Sequence, residues 1–166
     1  MDDEQGDKAV VTHIQSMGAE VTVGDSDVRV RRGSLQGCEF DLNATPDALP
    51  AMAVAACVAE GETRLVNVAQ ARVKETDRIA VMAAELRKMG ASIDERPDGL
   101  VIRGGRLRGA EVEGHDDHRV VMALAVAGLA AEGTTIIHGA ECAAVTFPNF
   151  VQLMTGLGAR MKTTND

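Results

Sequence analysis

Hydrophobic and polar positions along the chain follow two periods, and the switch between them occurs in the same order twice. Three segments carry an apolar stripe at helical spacing and end on glycine: HIQSMGAEV around Gly18, ELRKMGASI around Gly90 and QLMTGLGARM around Gly158. Glycine supplies the left-handed residue that closes a helix, so each predicts an amphipathic helix with a defined stop. After the first two, the period drops to two residues. AEVTV and DVRVRRG flank GDSD, and ASIDE and GLVIRGG flank RPDG, whose Pro-Asp-Gly order suits a tight turn. A helix of small apolar residues follows, DALPAMAVAACVA or DHRVVMALAVAGLAA, and then a strand, TRLVNV or TTIIHG.

Helix, hairpin, helix, strand is therefore an internal repeat. Its offset is 72 residues, from Gly18 to Gly90 and again from AEG at 59–61 to AEG at 131–133. The units run from about 5 to 70 and from about 71 to 142; TFPNFVQLMTGLG then opens a third, about 143 to 166. A symmetric fold of three such units would lack its last hairpin and helix here. Sheet edges and an apolar helix face would be left for another segment or subunit to cover.

Composition narrows the class. A chain of 166 residues, 45% hydrophobic, can bury a core. Its wealth of Ala, Val and Gly predicts helices packed closely on strands, a layered α/β (α+β) protein. A net charge of −8 argues against coating nucleic acid, and 2% aromatic content removes base-stacking platforms. Small anions remain as ligands. Cys38, Cys57 and Cys142 are odd in number and lack CxxC spacing, which speaks against a disulfide framework or zinc site and for a reducing cytoplasm. The N-terminal residues show no signal pattern, and the apolar run at 48–59 is too short to span a bilayer.

The charges at 74–78 pose the chemical question. Lys74, Glu75, Asp77 and Arg78 are expected in the first turn of a helix that continues through the helix formers IAVMAAEL. Lys74 and Arg78 would then share one face, where like charges cost about 0.2–0.5 kcal/mol and an anion would relieve them. Lys74 with Asp77 and Glu75 with Arg78 could equally be i,i+3 pairs on a solvated helix start. In the second unit, Asp116 or Asp117 can cap the helix that opens with His118 and Arg119, or the same entry can face an anion. Asp47 is read as holding the equivalent place in the first unit, with a cap or turn as its plainer role.

RVKETDRI, the following M-x-x-EL-x-K-x-GA, the DHR helix and TFPNF together resemble the C-terminal domain of the 5-enolpyruvylshikimate-3-phosphate synthase family. The likeness runs from QGD at 5–7 to GLGARM at 156–161. RVKETDR is specific within the enolpyruvyl transferases; the sister enzyme acting on UDP-N-acetylglucosamine does not carry it. The resemblance implies domains of pseudo-threefold βαβαββ units around buried parallel helices. It also implies transfer of the enolpyruvyl group of phosphoenolpyruvate to shikimate 3-phosphate, with no metal or organic cofactor.

Position by position, the family roles fall as follows. Asp47 resembles the carboxylate that takes the 5-hydroxyl proton, and Lys74 sits near that hydroxyl. Gln70 contacts shikimate 3-phosphate. Glu75 matches the acid that protonates the methylene carbon, Arg78 and Arg119 the pair gripping the phosphoenolpyruvate carboxylate, and His118 lines the pocket. Val145 stands where many members have a phosphate-binding Lys. The family's N-terminal domain has no counterpart in these residues, so an inactive fragment is expected, with a complementing N-terminal domain or a second copy in a dimer as partner. The alternatives are a stand-alone module for a small phosphorylated or carboxylated anion, and a self-associating structural remnant.

Overall fold

The computed structural model describes residues 9–25, 27–31 and 33–164. QGD at 5–7, Ser26 of the first turn and Arg32 lie outside them. The elements are α1 (Ala9–Ser16), β1 (Glu20–Val23), β2 (Val28–Arg31), β3 (Glu39–Asp41), α2 (Leu49–Val58), β4 (Glu62–Val66), α3 (Arg78–Lys88), β5 (Ser92–Arg96), β6 (Gly99–Arg103), β7 (Glu111–Glu113), α4 (His118–Ala130), β8 (Ile136–His138) and α5 (Phe150–Gly156). Short 3-10 turns at Pro46–Ala48, Ala69–Val73 and Ala140–Val145 join them.

The 72-residue offset holds through the fold. It relates β1 to β5, β3 to β7 and the ends of α1, α2 and β4 to those of α3, α4 and β8. Each glycine-stopped helix closes alike: Ala19 N–H donates to Ile14 O, Ala91 N–H to Leu86 O and Ala159 N–H to Met154 O, with Gly18, Gly90 and Gly158 at φ +95°, +87° and +97°. A side chain there would be strained, which is why glycine marks these stops in the sequence.

Sequence periodicity missed β3 and β7. Each has three residues with one buried, too few for alternation to show. They matter because they set the sheets. Parallel β3 and β4 join antiparallel β6 and β5 in one four-stranded sheet of order β3-β4-β6-β5. Read from residue 39, the chain runs β3-α2-β4-α3-β5-β6, the βαβαββ order expected, and all four strands share that sheet. Behind it, α2, α3 and α4 pack on one another. α2, apolar all round, is buried except at Ala51, Ala55 and Val58.

The flanking strands stand apart as two-stranded pieces, β1-β2 and β7-β8. Leu100 and Ile102 of β6 are buried against β4, whereas their repeat equivalents on β2, Val28 and Val30, are 53% and 66% exposed. Among the described residues, no further strand pairs with the outer edge of β2 or of β8. Among the described residues, no helix is long and apolar enough to cross a membrane.

Candidate functional site

α3 begins at Arg78, later than expected, because Asp77 caps it: the Asp77 carboxylate accepts from Ala80 N–H at 3.0 Å. Lys74, Glu75 and Thr76 lead into the helix from the 3-10 turn and are not in helical register with it. The four charges therefore do not share a first helical turn. Of the two local ion pairs, Glu75–Arg78 forms at 2.6 Å, but Asp77 goes to Arg72 at 2.7 Å and Lys74 goes to Asp47 at 3.1 Å. Arg72 also reaches Glu95 and the carbonyls of Arg96 and Pro97, pinning this loop to the β5–β6 hairpin.

Arg78 is the hub. It is only 1% exposed, and four of its N–H groups are taken by carboxylates. Nε donates to Asp117 Oδ2 at 2.7 Å and Nη2 to Asp117 Oδ1 at 3.2 Å; Nη1 donates to Asp47 Oδ1 at 2.8 Å, and Nη2 also reaches Glu75 Oε2 at 2.6 Å. Burial alone would lower its pKa. The hydrogen bonds to Asp117 and the fields of Asp117, Glu75 and Asp47 outweigh that, so the net shift is upward and the guanidinium stays charged.

Asp117 serves two roles at once. Fully buried, it is the N-cap of α4, accepting from Arg119 N–H at 2.9 Å and Val120 N–H at 3.4 Å, while it clasps Arg78 from the other side. One carboxylate thus both caps α4 and pairs with Arg78. The approach to Asp117 is a tight turn closed by Asp117 N–H to Gly114 O at 3.0 Å, with His115 and Asp116 at φ +53° and +54°. Two successive left-handed non-glycine residues cost about 1–2 kcal/mol each and persist only where neighbours hold them.

Asp47 collects the remaining cations. Lys74 Nζ and Arg78 Nη1 both bind its Oδ1, and Arg119 Nη2 approaches Oδ2 at 3.4 Å. At the 72-residue offset Asp47 corresponds to Arg119, and Thr45 to Asp117, which corrects the equivalence of Asp47 with the second unit's capping acid. Corresponding positions of the two units, Asp47 and Arg119, thus meet as an ion pair. Burial pushes the Asp47 pKa up, but the Lys74 hydrogen bond and the charges of Arg119, Lys74 and Arg78 prevail, and the net shift is downward.

Asp47, Lys74, Glu75, Arg78 and Arg119 are accordingly together, and His118 lies beside Arg119 as the half-buried first residue of α4. Gln70 is turned elsewhere, its amide donating to Asn43 O at 2.8 Å and Asn43 Oδ1 at 3.2 Å in the loop leading to Asp47. Val145 is exposed as the last residue of the third 3-10 turn. The cysteines are free thiols, and burial pushes Cys57 up to about 12. Sequence reasoning missed Arg72 and Glu85. Glu85 had a signal: it is an acid on the buried stripe of α3, seven residues after Arg78.

A βαβαββ unit flanked by parts of two more, with a carboxylate–cation cluster where they meet, defines a fold of the enolpyruvyl transferase kind. The family model for EPSP synthase (3-phosphoshikimate 1-carboxyvinyltransferase) matches residues 1–154, and the chain belongs to that family. It is 58% identical over 163 residues to the 3-phosphoshikimate 1-carboxyvinyltransferase of Acetivibrio thermocellus and 57% identical over 162 to that of Ruminiclostridium cellulolyticum; each match covers 98% of this chain. The chain spans 38% of the length of these two curated relatives. The structure of EPSP synthase from Acinetobacter baumannii superposes with a TM-score of 0.87 at 34% identity, covering 93% of this chain and 40% of that one. An enolpyruvyl transferase from Streptomyces tendae shares the fold at a TM-score of 0.77 and 23% identity, over 94% of this chain and 36% of that one.

Proposed function

We propose that the chain supplies one wall of an active site that moves the enolpyruvyl group of phosphoenolpyruvate onto the 5-hydroxyl of shikimate 3-phosphate. The observation that carries this reading is the placement of Arg78 and Arg119 on one carboxylate, Asp47. Two guanidiniums that clasp a protein carboxylate have the geometry to clasp a ligand's. A phosphoenolpyruvate carboxylate taking over Arg78 Nη1 and Nη2 and the Arg119 Nη2 contact releases Asp47 and Glu75 together. The freed Glu75 carboxylate takes up a proton from solvent and delivers it to the methylene carbon, cationic character develops on the neighbouring carbon, and the hydroxyl oxygen attacks it as Asp47 takes its proton. Loss of phosphate, with one methyl proton returning to the Glu75 carboxylate, then restores the alkene. Lys74 steadies the hydroxyl, His118 lines the pocket, and Gln70, released from Asn43, contacts shikimate 3-phosphate.

The part of the relatives' length that this chain does not span is proposed to bring the opposite wall and to cover the β2 and β8 edges, a second copy of the chain being the alternative cover. The two repeat units and the start of a third form one partial domain in this reading. Free thiols suit the reducing cytoplasm proposed as its place of work.

The test adds the N-terminal domain of the Acetivibrio thermocellus relative, checks association by light scattering and assays phosphate release. Turnover above the chain-free control is expected, falling at least about a hundredfold in Glu75→Gln, the low end for a general acid. An associated but inactive pair, or full activity in Glu75→Gln, would overturn the assignment.

A further inference from the structure

A second acid on α3 holds the loop that builds this site. Glu85 is 2% exposed, yet both of its oxygens are used: Oε1 meets His115 Nε2 at 3.0 Å, Oε2 accepts from Glu113 N–H at 3.0 Å, and Lys88 Nζ, on the solvent side, binds both at 2.9 and 2.7 Å. Glu113 ends β7, and His115 is the first left-handed residue of the turn that delivers Asp117 to Arg78. Arg78 and Glu85, two turns apart on one face of α3, therefore grip the β7–α4 connection at its end and at its beginning.

The first repeat unit serves as an internal control. At the offset of 72, His13 replaces Glu85 and Asn43 replaces His115. His13 rests edge-on against the Phe40 ring at 5.1 Å with its Nε2 buried and unpaired among the described residues, and Asn43 and Ala44 are not left-handed. The strained turn exists in the unit that has the carboxylate to hold it.

We propose that Glu85 is a positioning residue: through His115 and the Glu113 amide it keeps the 114–117 turn in its left-handed form, and so aims Asp117 at Arg78 and Arg119 at Asp47. The inference deepens the anion-site reading and rests on it for its functional meaning, but not for its first test. In the full chain, Glu85→Gln keeps the shape but cannot accept from Lys88, His115 and Glu113 together. His115→Asn leaves the core alone, tolerates the left-handed backbone and is too short to reach Glu85.

Amide hydrogen exchange should show Arg119 and Val120, the N–H groups capped by Asp117, exchanging at least tenfold faster in both variants, and no faster still in the double variant. Amides of α2 should stay within twofold. Phosphoenolpyruvate should bind at least fivefold more weakly to both. Wild-type exchange at Arg119 and Val120, or an equal acceleration everywhere, would overturn the proposal, the latter because Glu85 would then add only to overall stability. Arg119→Ala separates the two readings: if it leaves phosphoenolpyruvate affinity unchanged, the anion-site reading falls while the exchange result still decides the role of Glu85.

Discussion

Replacing Arg78 with Met should cost about 3–5 kcal/mol of folding stability in urea denaturation, the range for removing one partner of a buried ion pair. The reason lies in what stays behind. Asp117 is fully buried and would lose both contacts to the guanidinium, leaving a charge whose other partners are the Arg119 and Val120 amides. Asp47 and Glu75, facing solvent in part, lose less because water and Lys74 can take over. The double variant Arg78→Met, Asp117→Asn should recover much of the loss, since Asn keeps the helix cap and removes the stranded charge. A loss below about 1 kcal/mol for Arg78→Met, in the range of exposed pairs, would mean that the cluster is solvated.

Acid should unfold the chain by way of the same carboxylates. For Asp47, burial raises the pKa, but the Lys74 hydrogen bond and the surrounding cations together lower it by more; for Glu85, burial likewise opposes the stronger effect of its hydrogen bonds to Lys88, His115 and the Glu113 amide. Both folded pKa values are net depressed. Each group therefore contributes stability that is fully present above its unfolded value, about 3.9 for Asp and about 4.3 for Glu, and is lost as pH falls through the lower folded value. The melting temperature should be level above about pH 5, then fall steeply below about pH 4, and the slope should flatten in Asp47→Asn with Glu85→Gln. A melting temperature that rises on acidification below pH 4 would contradict the depressed values.

Much of this arrangement can be read from the chain, and the failures have physical causes. Repeat, hairpins and glycine-stopped helices are local events, written in spacing and in the need for a left-handed residue at Gly18, Gly90 and Gly158. The family resemblance also named in advance five residues that lie together in the fold, Asp47, Lys74, Glu75, Arg78 and Arg119. Most partners of those residues were not legible, because they are chosen across long stretches of sequence: Arg78 meets Asp47 from 31 residues away and Asp117 from 39. Local rules pair Lys74 with Asp77, but the 3-10 turn before α3 lifts Lys74 out of helical register and Arg72 claims Asp77. The three-residue strands β3 and β7 are defined by their neighbours alone, so no period could announce them.

The central claim is that Asp47 occupies, within the protein, the cation cradle that a ligand carboxylate takes over. Calorimetric titration of phosphoenolpyruvate into the wild-type chain, Asp47→Asn and Arg119→Ala tests it directly. Removing the competing charge should tighten binding about tenfold, or 1.4 kcal/mol, in Asp47→Asn, and removing a guanidinium should weaken it by at least as much in Arg119→Ala. Unchanged affinity in both variants would contradict the claim and place any anion site elsewhere on the molecule.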